Sequence, residues 1–229
     1  MTQAPLLQLS AVQRTYGERT VLHPVDLTVR RGETVALMGP NGSGKSTLLR
    51  IAVGRDRPSE GTVAFDGSPL HEDDPRVRAR VAVVADGPAF YPDLTVRQHL
   101  LLVAAAHAAG AEADLLVYRA LEFTRLTGQA ASRPSALSSG QAQQLLLAAA
   151  LVRPRDLLVL DEPEQRLDPE ARTRLMEHIR QEQGRGVAVL FATHQPELAM
   201  GAADRVLVLA DGHPIAEGPP ERVLPGADR

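Results

Sequence analysis

Residues 39–47 read GPNGSGKST, which fits the phosphate-loop pattern G-x-x-x-x-G-K-[ST] at every position. A short apolar run, residues 34–38, precedes the loop and predicts a buried strand, and residues 45–53 have a helical pattern. Glycines let the backbone curl until successive N–H groups face phosphate oxygens, and the helix adds the positive end of its dipole. This strand–loop–helix element favours an α/β fold.

The phosphate loop supplies the candidate nucleotide-binding residues. Lys45 is expected to reach the β- and γ-phosphates, and the Ser46 hydroxyl to ligate Mg²⁺. Lys45 is the one lysine among 25 lysine and arginine residues, which indicates a position that needs a compact ammonium group. The loop candidates are Gly39, Pro40, Asn41, Gly42, Ser43, Gly44, Lys45, Ser46 and Thr47.

A second acidic element complements the loop. Residues 157–160 (LLVL) predict a buried strand that runs directly into Asp161 and Glu162. Asp161 is expected to hold Mg²⁺, directly or through water. Glu162 would then project at the strand end, where it could polarise a water for attack on the γ-phosphate.

The order of the predicted elements indicates how the chain is organised. Strand patterns at residues 6–12, 25–29, 61–65 and 81–84 come first, and helical patterns at 95–109, 113–126 and 140–152 follow. Strands and helices then alternate, with Asp168 and Pro169 as an expected helix start. We predict one α/β domain with a catalytic core over about 6–86 and 153–218 and an inserted helical subdomain over about 90–152.

Composition excludes several functional classes. The 229-residue chain has no cysteine, so it cannot form disulfides, a thiolate zinc site or a cysteine nucleophile. Aromatic residues are 3% and the net charge is −3, which argues against a base-stacking platform and against coating nucleic acid. The longest apolar stretches, 100–109 and 145–152, are shorter than the ~20 residues of a membrane span, and we expect no signal peptide.

Residues 137–141 read LSSGQ, a motif that is typical of one protein family. They resemble the LSGGQ signature of ABC-type ATPases, and other landmarks of that family occur in the same order. Tyr16 resembles the aromatic residue that stacks on adenine, Asp168 the end of the D-loop, and His194 the switch histidine. The resemblance covers about residues 6–218.

The resemblance implies a P-loop NTPase core with an N-terminal antiparallel β subdomain and an inserted α-helical subdomain. It also implies a head-to-tail dimer, a homodimer or a heterodimer, in which the signature acts in trans on ATP bound by the other subunit. The implied catalytic residues are Lys45, Glu162 and His194. The implied signature contacts are Ser138, Ser139, Gly140 and Gln141.

The function implied by the resemblance is that of an ATP-binding subunit of an ABC transporter. ATP and Mg²⁺ are the expected cofactors, and an integral-membrane permease is the expected partner. The chain is then expected in the cytoplasm, peripheral on the inner face of the cell membrane. Two alternatives stay open: a soluble ABC ATPase in a non-transport process, and a small-molecule kinase, against which the signature and His194 argue. No nucleic-acid partner is expected.

The sequence departs from the family pattern at several positions, and three departures bear on the site. Asp86 stands where the Q-loop glutamine is usual, Ser139 replaces the first glycine of the signature, and residues 164–166 (EQR) replace the usual TSA. Asp86 is a candidate third Mg²⁺ ligand, because hard cations prefer carboxylate oxygen. The alternative is that Asp86 only caps the turn formed by residues 86–88.

Phe90 and Tyr91 are adjacent aromatic residues in a chain with only seven. They lie in residues 86–96, the segment that the resemblance assigns to coupling with a membrane partner. An exposed aromatic pair often anchors an interface. The alternative is that both rings pack inside the helical subdomain.

Overall fold

The computed structural model describes residues 4–71, 74–84, 90–107, 110–165 and 167–224, which form ten β-strands and eight α-helices. Short 3₁₀ turns lie at Gly110–Glu112, Thr127–Gln129 and Pro134–Ala136. The strands are β1 Leu7–Tyr16, β2 Arg19–Val29, β3 Thr34–Met38, β4 Glu60–Phe65, β5 Ser68–Pro69, β6 Val81–Val84, β7 Leu157–Asp161, β8 Ala188–Thr193, β9 Arg205–Ala210 and β10 His213–Gly218. The helices are α1 Lys45–Ala52, α2 Pro75–Arg80, α3 Val96–Ala106, α4 Ala113–Phe123, α5 Ser139–Leu151, α6 Pro169–Gly184, α7 Pro196–Ala202 and α8 Pro220–Val223.

A six-stranded sheet forms the centre of the fold, in the order β10-β9-β3-β8-β7-β6. Its strands are parallel except for β10, which pairs antiparallel with β9 at the edge. Strands β3 and β8 are buried along their whole length, because both faces of this parallel sheet are covered. The phosphate loop follows β3, and Glu162 and His194 follow β7 and β8, so all three leave the same edge of the sheet.

A second, antiparallel sheet has the order β2-β1-β4-β5. One hydrophobic cluster lies between this sheet, α1 and the central sheet, with Leu9, Leu22 and Ile51 among its fully buried members. A second cluster fills the other face, where Phe191 of β8 packs with residues of α6 and α7. The mixed central sheet is covered on both faces, and helices are inserted between β6 and β7, which confirms the predicted α/β class.

Helices α3, α4 and α5 pack around a third cluster that includes Leu100, Val117 and Leu145. These three helices were predicted from the sequence. The predicted ends of α3 and α4 lie three residues beyond the observed ends, and the other bounds agree to within one residue. Thr95 begins α3 with a capping box, in which its side chain accepts from Gln98 N. Asp168 accepts from the N–H of Ala171 at the start of α6, which confirms that predicted cap.

Among the described residues, no helix combines the length and the apolar character that a membrane span requires.

Candidate functional site

Three glycines shape the phosphate loop between β3 and α1. Gly39, Gly42 and Gly44 have positive φ angles of 147°, 82° and 99°, a region that glycine enters without steric cost. A Cβ on Gly39 would overlap the carbonyl oxygen of Leu209 and lie 2.7 Å from Ser43 Oγ. Gly44 is the N-cap of α1, and no side chain caps that helix, so its first N–H groups face the loop.

We expect Gly39→Ala to lower the free energy of unfolding by about 2 kcal/mol or more, because the methyl group meets backbone that cannot move aside. Gly128→Ala is the matched control, since a Cβ there has nothing within 4 Å. Urea unfolding monitored by circular dichroism measures both variants. Equal midpoints for the two would contradict the steric account.

Lys45 lies inside the loop, with only 3% of its side chain exposed. Its ammonium donates to the carbonyl oxygens of Gly39, at 2.8 Å, and Pro40, at 3.1 Å. It is also 3.5 Å from Glu162 Oε1. A buried charge needs partners of this kind, and phosphate oxygens can replace them because they accept the same hydrogen bonds.

Ser46 and Asp161 meet at the mouth of the loop, where Ser46 Oγ donates to Asp161 Oδ1 at 3.0 Å. Ser46 is the second residue of α1 and Asp161 is the last residue of β7, and they are 115 residues apart in sequence. Mg²⁺ is usually held by one or two protein oxygens together with phosphates and waters. These two hard oxygen donors beside the loop fit that ion.

Glu162 is the first residue after β7 and has a φ of 44°, an unusual value for a residue with a side chain. Its backbone N–H donates to the carbonyl of Ala192 at 3.1 Å. The carboxylate lies between Lys45 and His194, with 3.6 Å from Glu162 Oε2 to His194 Nδ1. The structure therefore brings together the three predicted catalytic side chains.

Lys45, Ser46, Asp161 and Glu162 line one cavity of about 500 Å³ together with Tyr16. Tyr16 is 41% exposed, the guanidinium carbon of Arg14 lies 4.2 Å from its ring centroid, and its hydroxyl donates to Asp56. Arg14 also pairs with Asp56 at 2.7 Å. No sequence signal indicates this support for Tyr16, because residues 14 and 56 come together only through the pairing of β1 with β4.

The signature residues do not line that cavity. Ser138 is exposed and N-caps α5: its Oγ accepts from Gln141 N at 3.3 Å, and its own N–H donates to Gln141 Oε1 at 2.9 Å. Ser139 and Gly140 form the first turn of α5. The structure thus presents Ser138, Ser139, Gly140 and Gln141 at a helix N-terminus away from the chain's own phosphate loop.

Asp86 lies outside the described residues, so its assignment as a metal ligand stays a prediction.

The two adjacent aromatic residues that follow it, Phe90 and Tyr91, differ in burial. Phe90 is half-buried and packs edge-on against His99 with 5.4 Å between ring centroids, whereas Tyr91 is 57% exposed. Both line a groove of about 370 Å³ that also contains Arg55 and Leu102. The interpretation that both rings pack inside is therefore wrong for Tyr91.

Comparisons with known proteins agree with this geometry. A family model described as ABC transporter matches residues 22–165. The chain is 38% identical to Nod factor export ATP-binding protein I of Paraburkholderia xenovorans (strain LB400), over 95% of this chain and 72% of that relative. It is 36% identical to the protein of that name from Rhizobium meliloti (strain 1021), over 95% of this chain and 65% of that relative.

Solved structures of ABC transporter subunits are also similar to this chain. The fold is similar to that of an ATP-binding subunit of an ABC transporter, with a TM-score of 0.87, 31% identity, and coverage of 95% of this chain and 91% of that one. It is also similar to the dimeric bacterial ABC transporter cassette MJ0796, with a TM-score of 0.85, 29% identity, and coverage of 93% and 98%.

Proposed function

Because this chain belongs to the ABC transporter family and is an ATPase of that family, we propose that it powers export through a separate membrane permease, with Lys45, Glu162 and His194 as its catalytic residues. The observation that carries the proposal is that Lys45 and Glu162 meet Ser46 and Asp161 at one cavity beside the phosphate loop. His194 lies next to this cavity, with its Nδ1 3.6 Å from Glu162 Oε2. Export is the activity named for the relatives that are 36–38% identical.

ATP occupies the whole length of the cavity, with adenine at Tyr16 and the phosphates at the phosphate loop. Adenine stacks on Tyr16, whose ring is held by Arg14 and Asp56. The β- and γ-phosphates enter the loop from residue 39 to 47, where backbone N–H groups and the helix dipole favour negative charge. Lys45 exchanges its contacts with the Gly39 and Pro40 carbonyls for phosphate oxygens.

Ser46 and Asp161 are the residues that would hold Mg²⁺. When bound, the ion neutralises charge on the β- and γ-phosphates. Asp86 is proposed as a further ligand on sequence grounds alone.

Hydrolysis requires a base next to the γ-phosphate. Glu162 accepts the proton of a water molecule as the water oxygen bonds to the γ-phosphorus and the bond to the bridging oxygen of ADP breaks. His194, 3.6 Å from that carboxylate, orients it and hydrogen-bonds the γ-phosphate. ADP and inorganic phosphate are the products.

The reaction site is completed by a second nucleotide-binding subunit, either a copy of this chain or a homologue. Ser138, Ser139, Gly140 and Gln141 are exposed or half-buried at the start of α5, away from their own phosphate loop. In a head-to-tail dimer they reach the γ-phosphate bound by the other subunit. A dimeric neighbour of known structure supports this arrangement.

The permease holds the dimer on the inner face of the cell membrane, and the helical subdomain over about 90–152 makes that contact. Purification of the tagged chain from membranes, followed by identification of the co-purified proteins, tests this part of the proposal. A polytopic membrane protein is the expected partner. Recovery of the chain with soluble proteins alone would contradict it.

Tyr91→Ala is expected to weaken membrane association about 30-fold, because exposed aromatic hot spots contribute about 2 kcal/mol or more. Basal ATPase activity is expected to stay unchanged. Tyr118→Ala is the matched control, since Tyr118 of α4 is 55% exposed but lies outside the groove. Membrane sedimentation measures both. Equal effects from the two substitutions would argue against the groove as the contact.

A further inference from the structure

Two side chains next to the catalytic carboxylate have no role in the mechanism above. They are Glu164 and Gln165, in the turn between β7 and α6, where the chain departs from the family pattern. Their side chains contact the segments that carry the two catalytic groups Glu162 and His194. The contacts differ in kind, and each constrains a different group.

Gln165 contacts Glu162 itself. Its Nε2 donates to Glu162 Oε2, and its backbone N–H donates to the carbonyl of Glu162 at 3.1 Å. The same Oε2 lies 3.6 Å from His194 Nδ1, while Oε1 lies 3.5 Å from Lys45 Nζ. The amide of Gln165 therefore fixes which oxygen of the base faces the histidine.

Glu164 contacts the segment that carries His194. It is 1% exposed, and its Oε1 accepts a hydrogen bond from the hydroxyl of Thr193, which is itself fully buried at the end of β8. The Thr193 hydroxyl also accepts from the backbone N–H of Gln195 at 3.0 Å. Thr193 is thus bonded directly to a buried carboxyl group, and Gln195, on the other side of His194, is linked to that group through the Thr193 hydroxyl.

Burying the carboxyl group of Glu164 costs free energy, so filling space in the core does not explain why a glutamate stands at this position. Burial raises the pKa of this carboxyl above its ordinary value and favours the neutral acid. Its Oε2 has no hydrogen-bond partner among the described residues. A hydrophobic residue would fill the same space without this desolvation cost, but it could not accept the Thr193 hydrogen bond.

We propose that Glu164 and Gln165 are positioning residues for hydrolysis: Gln165 holds the carboxylate of Glu162, and Glu164, through Thr193, holds the turn that carries His194. Together they set the relative placement of base and histidine before ATP arrives. This inference rests on the proposed function, because it assigns roles relative to Glu162 and His194.

Gln165→Ala should lower kcat about 10- to 100-fold with little change in the KM for ATP, because a displaced base lowers the rate without loosening the loop. Gln165→Glu should lower kcat at least as much, since a carboxylate cannot donate and repels Glu162. Gln8→Ala, which removes an exposed amide from β1, is the matched control and should match the wild type. A rise in KM with kcat unchanged would overturn the role of Gln165.

The hydrogen bond between Thr193 and Glu164 is tested by substituting each partner. Glu164→Gln and Thr193→Ser keep an acceptor and a donor and should retain most of kcat, whereas Glu164→Ala and Thr193→Val should lower it by similar factors. The double variant should lose no more than either single one, because both substitutions remove the same hydrogen bond. Thermal unfolding of each variant identifies any that fails to fold, and Thr193→Val preserves shape if Glu164→Ala does not fold.

Glu162→Gln is assayed in parallel, so that two failures can be told apart. If Glu162→Gln is inactive while Gln165→Ala and Thr193→Val keep the wild-type kcat, the positioning role is overturned and the proposed function stands. If Glu162→Gln itself keeps the wild-type rate, the assignment of the base is overturned, and this inference with it.

Discussion

A Lys45→Ala variant is expected to lose ATP hydrolysis and to bind ATP at least about tenfold more weakly than the wild type. A hydrogen bond from a charged group contributes about 1.5–3 kcal/mol, which corresponds to about 10- to 150-fold in affinity. Removing one group that stabilises transition-state charge lowers kcat by about 10²–10³. Lys45 is the one lysine of the chain and is already enclosed by the loop, so no neighbouring ammonium can replace it.

Nucleotide titration and phosphate release measure the two effects. Thermal unfolding is the necessary control, because a buried side chain is being removed and Glu162 loses a charged neighbour. Lys45→Arg should fail as well, since the planar guanidinium does not fit a cradle that holds a compact ammonium between two carbonyls. Near wild-type hydrolysis by a folded Lys45→Ala chain would refute the proposed site.

Glu162→Gln is expected to keep ATP binding and to reduce hydrolysis by about 10²–10⁴, the usual contribution of a positioned base. The amide has the shape of the carboxylate and can still accept from Gln165, but it cannot take a proton from water. One negative charge near Lys45 and the triphosphate is also removed, which favours the ATP-bound state.

ATP and Mg²⁺ should then stabilise a closed dimer of this variant with two nucleotides at its interface. Size-exclusion chromatography with and without ATP measures the change in mass. A variant that binds ATP but stays monomeric would count against a homodimeric head-to-tail assembly and would indicate a different partner subunit.

Local features were predictable because their causes are local. The phosphate loop depends on glycines at set spacings and on one lysine, and these residues form the loop between β3 and α1. The helix starts at Thr95 and Asp168 depend on side chains that bond the backbone three residues ahead. Each of these signals spans less than ten residues, so no other part of the chain is needed to form it.

The first two strands show where pattern reading fails. Residues 6–12 and 25–29 were expected as strands, but β1 and β2 form a longer hairpin, Leu7–Tyr16 and Arg19–Val29. Register shifts interrupt their pairing, and Ala11 has a φ of 47°. A bulge shifts the alternation of buried and exposed residues, so a period of two cannot be followed through it.

The sequence by itself determined that this chain binds a nucleoside triphosphate and carries the carboxylates of an ABC ATPase, because those residues sit in short motifs. Only the tertiary structure decided how the motifs meet: Ser46 with Asp161, Glu162 with His194, and Glu164 with Thr193. These pairs join segments at the carboxyl ends of strands β3, β7 and β8 of the parallel sheet, and strand order is set by packing across the whole core rather than by any local pattern.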